Sequence, residues 1–403
     1  TKHQSDTYYV GEKGNEIADY SFDYYADGVT IKQKNVYQYE RQDIALSTWG
    51  LPSGEASIYN NTYRVADDGT LYAVFTNNFG WKTLYARKNN QWSQILRVYG
   101  PADDIYKPVV SQDGAYFMTF TVPGIYTLKK YNSATSATQD IFTTTSSNDY
   151  IYSPVVSSDG AYFVTYNYTG TTYAYHLKRY SNVTNSVQEI FGTTNANDSI
   201  DSIPVVSGDT AYFKYAAYVS GTYYYYLKTY NSGTNSIQDV MATTVAGDAI
   251  YRPVATDDGA YFVVRNYTGG IYYYRLKKHT SATNYTQEIF GTTNANDYIY
   301  TTPAVSGSDI YFIVRNYVSS AYYYHLKKYN SATSATQEIF GTSTSSDNIS
   351  NLIVSGSNAY FIYYNGTNYN YDIRKYNSIN GIMSTLDQTD STMAESFSNL
   401  MKV

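Results

Sequence analysis

Along most of this chain, short runs crowded with aliphatic and aromatic residues alternate with polar clusters of Ser, Thr, Asn, Asp and Gly. The alternation repeats. The triplet Ala-Tyr-Phe begins at Ala115, Ala161, Ala211, Ala260 and Ala359, and Ile310-Tyr311-Phe312 fills the remaining gap. A spacing of about 46 to 50 residues between copies marks a repeat architecture. Fainter copies start at Asp27-Gly28 and Asp68-Gly69, which makes about eight units, six of them close copies.

One unit shows the elements. From Tyr152, "YSPVVSS" predicts an apolar first strand and Asp159-Gly160 is a hairpin turn signal. "AYFVTYNY" predicts a second strand ending at Thr169-Gly170, "TYAYHLKRY" a third, and "VQEIFGTT" a fourth beyond the polar turn "SNVTNS". Pro108, Pro154, Pro204, Pro253 and Pro303 stand at the entry to the first strand, where no ladder donor is needed. Four antiparallel strands at this period predict an all-β fold, a single β-propeller of about eight, alternatively seven, four-stranded blades. A β-helix is the competing arrangement; Asp-Gly and Ser/Asn turns between adjacent strands favour hairpins and so the propeller. The expected organisation is an N-terminal segment over 1–18, the propeller over 19–390 and a tail over 391–403. In the tail "STMAESFSNLMKV" breaks the strand pattern. Thr392 and Glu395 make a capping box there, and Phe397, Leu400 and Met401 share a helical face, so a short C-terminal helix is expected.

"SSDGAYFVTY", "SQDGAYFMTF" and "TDDGAYFVVR" resemble the Ser-Pro-Asp-Gly-Lys-x-Ile-Ala-Phe repeat of TolB-type, WD40-like propellers, over roughly residues 60 to 380. The Pro before Asp is missing, Ala replaces Lys, and the pair decays to "GDT", "GSD" and "GSN" in three units. The repeats are also similar to those of propeller domains in microbial, especially archaeal, cell-surface proteins. What the resemblance implies is the fold, since propellers host many functions.

Tyrosine is the compositional anomaly, 53 of 403 residues. Stacked blades offer it a packing role, filling the wide wedge between them while its hydroxyl reaches water or a neighbour. Lys129, Lys178, Lys228, Lys277 and Lys327 each precede an acid by eleven residues (Asp140, Glu189, Asp239, Glu288, Glu338), which predicts cross-strand pairs. A formal net charge of −6 argues against nucleic acid as partner. There is no cysteine, hence no disulfide or thiolate chemistry, and no apolar run long enough to span a membrane. Of four histidines, His176 and His325 occupy a slot held by Tyr226 and Arg275 in sibling units, and His279 stands where others have tyrosine. No phosphate loop, nucleophile elbow or catalytic carboxylate pair stands apart from the repeats, and no catalytic residue or cofactor is assigned.

Three features carry candidate function. The loop before each first strand has a recurring Asp-x-Ile at Asp103, Asp149, Asp198, Asp248, Asp297 and Asp347, with tyrosine added at Tyr106, Tyr152, Tyr251 and Tyr300. The bland reading is an Asx-type turn fixing the chain's entry. The functional one is a ring of acids and aromatics suited to sugar stacking or to a divalent cation such as calcium. Eight sequons begin at Asn60, Asn167, Asn182, Asn197, Asn266, Asn284, Asn348 and Asn365 and point to a glycosylated, extracellular or cell-surface protein. Trp49, Trp81 and Trp92, all in the divergent N-terminal units, form a symmetry-breaking aromatic patch. Together these suggest a non-catalytic module for binding, adhesion or assembly, with polysaccharide, another surface protein or a copy of itself as partner. The alternatives are a polysaccharide lyase or glycosidase on a propeller scaffold, and a subunit of a surface layer or filament.

Overall fold

The computed structural model describes the strands Ser5–Val10, Ile17–Tyr24 and Ile31–Val36 and then residues 57–389, apart from 67, 90, 201, 202 and 301. Side chains are described from Tyr63 to Leu386. The expected C-terminal helix and Trp49 fall outside the described residues. Two compact units divide the chain, Thr1–Val156 and Ser157–Val403. Among the described residues eight antiparallel sheets follow one another, called here blades 1 to 8. Blade 1 has three strands, the first of them, Ser5–Val10, within the segment that the sequence set apart as 1–18. Blades 2 and 8 have four strands in sequence order, Ser57–Val65 to Gln91–Val98 and Asn348–Ser355 to Met383–Thr389.

In the closest repeats the first strand is split. In blade 5, Ser199–Ile200 and Val205–Ser207 both pair with the second strand, Thr210–Val219, which pairs in turn with Thr222–Asn231 and then Ser236–Ala242. Blades 6 and 7 follow the same plan, with second strands Gly259–Thr268 and Asp309–Val318 and third strands Ile271–Thr280 and Ala321–Asn330. So does blade 3, with second strand Gly114–Thr121. Pro108, Pro204, Pro253 and Pro303 fall in the break, not at the strand's entry as the sequence suggested. Lacking an N–H, proline interrupts the ladder where it stands. Blade 8 has Leu352 at that point and keeps one strand, Asn348–Ser355, with a bulge between Ser350 and Ile353.

Glycine enters the first hairpin by two routes, which accounts for the drift of the Asp-Gly signal. At Gly114, Gly160 and Gly259 a Cβ would come within 2.0, 1.9 and 1.9 Å of a carbonyl oxygen of the third strand. Only glycine lets the chains approach so closely. In blades 5 and 7 the glycine moves into the turn itself, with φ of +53° at Gly208 and +56° at Gly307, and the former position becomes Thr210 or Asp309.

Within each unit, consecutive blades whose side chains are described pack face to face. In the first, Tyr72, Val74, Leu84 and Ala86 of blade 2 meet Ile105, Ala115, Phe117 and Tyr131 of blade 3. In the second, Tyr261, Val263 and Leu276 of blade 6 meet Ile310, Phe312, Val314 and Tyr329 of blade 7. Tyr311, Ile313 and Leu326 on the other side of blade 7 meet Ile349, Ala359 and Phe361 of blade 8. Both faces of a middle strand are therefore covered, which is why Ala-Tyr-Phe does not alternate with polar residues. Tyr116, Tyr162, Tyr212, Tyr261 and Tyr311 are fully buried, as the packing role predicts; Tyr360, on the last described sheet, is half-buried. Burial holds the Tyr162 and Tyr311 hydroxyls neutral, pushing each up to about 12. The five Lys–acid pairs lie directly across the third and fourth strands, at 2.5, 2.9, 2.5, 3.9 and 3.2 Å in chain order.

Candidate binding face

The Asp-x-Ile loop closes onto the tip of the hairpin between second and third strands of its own blade. Asp198 Oδ1 accepts from the Tyr218 N–H at 2.8 Å and its Oδ2 from the Tyr215 hydroxyl at 2.6 Å. Asp248 accepts from the Tyr267 N–H at 2.6 Å, and Asp297 from the Tyr317 N–H at 2.8 Å and Asn316 Nδ2 at 2.9 Å. Asp347 accepts from the Gly366 N–H and the Tyr363 hydroxyl, both at 3.0 Å. In the first unit Asp103 accepts from the Val122 N–H at 3.0 Å and the Gly100 N–H at 3.1 Å, and buried Asp149 from the Thr145 hydroxyl at 3.4 Å. Burial first, then the Asp198 bond, pushes Tyr215 above its ordinary range. The isoleucines of the motif, from Ile105 to Ile349, are core plugs. Asp103, Asp198, Asp248, Asp297 and Asp347 thus act as clasps that join two loops at one end of the blade.

At that end the sequence places tyrosine on both sides of a tight turn. Tyr168–Tyr173, Tyr218–Tyr223, Tyr267–Tyr272, Tyr317–Tyr322 and Tyr364–Tyr371 are directly opposed across the hairpin, with ring centroids 5.2, 4.9, 5.0, 4.9 and 4.7 Å apart. Cross-strand aromatic pairs of this kind contribute roughly 0.2–1 kcal/mol each. Yet Tyr168, Tyr173, Tyr223, Tyr272 and Tyr322 remain exposed, as does Tyr369 at the tip of blade 8. Blades 5, 6 and 7 set the pairs with two-residue turns in which both central residues have positive φ: Ser220-Gly221, Gly269-Gly270 and Ser319-Ser320. Such turns fix register. Sequence reasoning passed over these pairs, although tyrosines at equal distances from a glycine turn, as in "NYTGGIYYY", carry the signal.

Next to the pairs runs a chain of rings that takes in the tyrosines of the loop motif. In the second unit it runs from Tyr251 to Tyr274 at 6.3 Å, to Tyr298 at 4.4 Å, to Tyr300 at 6.1 Å and to Tyr324 at 5.6 Å. In the first, Tyr106, Tyr126, Tyr150 and Tyr152 are linked at 6.2, 4.6 and 5.1 Å. Burial raises the hydroxyl pKa of Tyr106, Tyr251 and Tyr298 and so favours their neutral form. Arg265 and Arg315 replace the aromatic that Phe120, Tyr166 and Tyr364 supply at the same place in sibling blades, and each lies on a tyrosine of the tip pair.

Trp81 and Trp92 have different surroundings. Trp81 lies between Phe79, at 5.3 Å, and Tyr99, at 5.2 Å, and those two flanking rings are among the most exposed apolar side chains described. Trp92 packs edge-on against Phe75 and Tyr85 on a face of blade 2. Of the sequons, Asn197 and Asn284 are exposed; Asn167, Asn182, Asn266, Asn348 and Asn365 are half-buried, and the Asn60 side chain lies outside the described residues. Asn167, Asn266 and Asn365 lie inside the second strands, close to the hairpin.

The histidines are occupied by the framework. His176 Nδ1 and His325 Nδ1 each lie 3.1 Å from a carboxylate oxygen, of Glu189 and Glu338. Burial alone would raise Glu189, but the hydrogen bond from Lys178 and the His176 ring beside it outweigh burial and hold the carboxyl below its ordinary value. His279 is buried between the Tyr212 hydroxyl at 2.9 Å and Asn284 Oδ1 at 3.0 Å, and burial lowers its pKa. Among the described residues no group of three or more His, Asp or Glu is arranged to hold a metal ion.

No protein-family model and no curated protein sequence matches the chain. Solved structures do. It is similar to a prolyl endopeptidase at 12% identity with a TM-score of 0.52, covering 82% of this chain and 50% of that one, so it spans half the length of that protein. It is similar to the β-propeller domain of the trilobed protease from Pyrococcus furiosus at 10% identity (TM-score 0.44, 82% and 98% covered). TolB from Acinetobacter baumannii, whose repeat type the Asp-Gly hairpins resemble, matches at 13% identity (TM-score 0.32, 80% of each chain). At these identities the likeness is one of fold, and with the consecutive four-stranded antiparallel sheets it makes this chain a β-propeller.

Proposed function

We propose that this propeller is a non-catalytic binding module displayed outside the cell, and that polysaccharide binds across the hairpin-tip end of its blades. The observation that carries the reading is the repeated, exposed tyrosine pair. A protein that needed tyrosine only for packing would not leave the same ring open to solvent in blades 4, 5, 6 and 7. Tyrosine offers a rigid apolar face with a polar rim at low entropic cost, which suits the C–H faces and hydroxyls of sugars. Exposed sequons at Asn197 and Asn284 support an extracellular location. A lyase or glycosidase would need an uncommitted acid or base at this end, and the clasp aspartates spend their oxygens on backbone and tyrosine donors. Calcium would face the same competition for those oxygens.

The test is electrophoresis through gels containing neutral and acidic polysaccharides, comparing the protein with Tyr272→Ala/Tyr322→Ala. Retardation by at least one polysaccharide, relieved in the variant at unchanged melting temperature, is the expected result. Retardation in no gel, or equal retardation of the variant, would overturn the reading. Loss of self-association in the variant without any polysaccharide effect would assign the rings to a second copy of the chain instead.

A further inference from the structure

Most cations of the blade framework are matched. Lys130, Arg179, Lys278 and Lys328 pair with Asp113, Asp159, Asp258 and Asp309, and the lysines of the third strands pair with the acids across from them. Arg265 and Arg315 differ. Neither has an ion-pair partner among the described residues. Arg265 donates to the Gly247 carbonyl at 3.1 Å and hydrogen-bonds the Tyr274 hydroxyl, and its guanidinium carbon lies 4.6 Å from the Tyr272 ring centre. Arg315 lies 4.2 Å over Tyr322 and 5.3 Å over Tyr298. In both, Nε is buried without a hydrogen-bond partner. The nearby clasps Asp248 and Asp297 accept from Tyr267, Tyr317 and Asn316 and not from the arginines. Arg252, one residue on from Tyr251, is exposed and also has no ion pair among the described residues.

From this we infer that blades 6 and 7 hold an anion-reading subsite, in which Arg265 and Arg315 recognise the acidic groups of an anionic polysaccharide while Tyr272, Tyr300 and Tyr322 stack its sugar rings. The inference rests on the proposed polysaccharide-binding face and names the charge class of its ligand. A guanidinium held over an aromatic ring is oriented in advance and presents a planar fork of donors that fits a carboxylate. Equivalent positions one repeat apart would meet two separate acidic units of a repeating chain. The formal net charge of −6 works against general attraction to polyanions, so preference for one must come from a local site.

Calorimetric titration with polygalacturonate and with its fully methyl-esterified form isolates the charge on one sugar backbone; dextran sulfate against dextran does the same for sulfate. The protein should bind the acidic member of at least one pair more tightly than the neutral member. Arg265→Gln/Arg315→Gln should weaken that binding roughly tenfold or more and leave the neutral member unaffected. If acidic and neutral members bind alike, or the arginine variant binds the acidic member as the parent does, the inference falls while the tyrosine face stands. If no member of either pair binds, the polysaccharide reading falls with it.

Discussion

A tyrosine in this chain takes its role from its place in the blade. At the third position of the second strand the whole ring is buried between sheets, as in Tyr162 and Tyr261. Toward the end of the third strand the hydroxyl donates to a turn asparagine, Tyr180 to Asn185 at 2.7 Å and Tyr230 to Asn235 at 3.0 Å. At the hairpin tip the ring is open. His279 is the instructive exception, since it fills the Tyr180 and Tyr230 position with a group that titrates. It is neutral when bonded to Tyr212 and Asn284, and its pKa lies below the unfolded value of about 6.5. The stability this neutral ring contributes is complete above about pH 6.5 and is lost as pH falls toward the folded pKa. His279→Tyr should therefore gain in melting temperature relative to the parent between pH 7 and pH 5; a pH-independent difference would contradict the assignment. The packing role of the Ala-Tyr-Phe tyrosines was legible because repetition alone marks a core position. The clasp aspartates were not, because Asp-x-Ile says nothing of which N–H will meet the carboxylate.

At the scale of the element, turns decide where side chains go. The four-strand period could be read because Asp-Gly and Ser/Asn clusters interrupt every strand. Eleven-residue spacing placed Lys178 opposite Glu189, and the register agrees. The split first strand escaped notice because proline at Pro204 or Pro303 fits a strand entry and a strand break equally well. The length of the second strand was legible, since the run "AYFVTYNY" matches Gly160–Tyr168 and in blade 6 Asn266 and Tyr267 likewise continue the ladder up to Thr268. One turn is left unoptimised. Ser319 and Ser320 have φ of +50° and +65°, a region that favours Asn and Gly, whereas blade 6 has two glycines there. Replacing Ser319-Ser320 by Asn-Gly should stabilise the protein by roughly 1 kcal/mol, read from chemical denaturation at unchanged slope. A loss of stability would mean that the serines make contacts the turn geometry does not require.

For the whole molecule, the two ends of a blade differ in kind. One end carries the turns between third and fourth strands, where Asn132 and Asn330 side chains cap the backbone N–H groups of Thr135 and Thr333. The other carries clasped loops, paired tyrosines and, in blades 6 and 7, the unmatched arginines. Buried tyrosine holds the blades together and exposed tyrosine is concentrated where a ligand could meet several blades of a unit at once. Nitration of tyrosine by tetranitromethane, mapped by mass spectrometry with and without a bound polysaccharide, tests this most directly. Tyr223, Tyr272 and Tyr322 should lose reactivity when the polysaccharide is present. Tyr285, 62% exposed at the opposite end of blade 6, should keep it. Unchanged reactivity at the three hairpin tyrosines, or protection of Tyr285 to the same degree, would contradict the account.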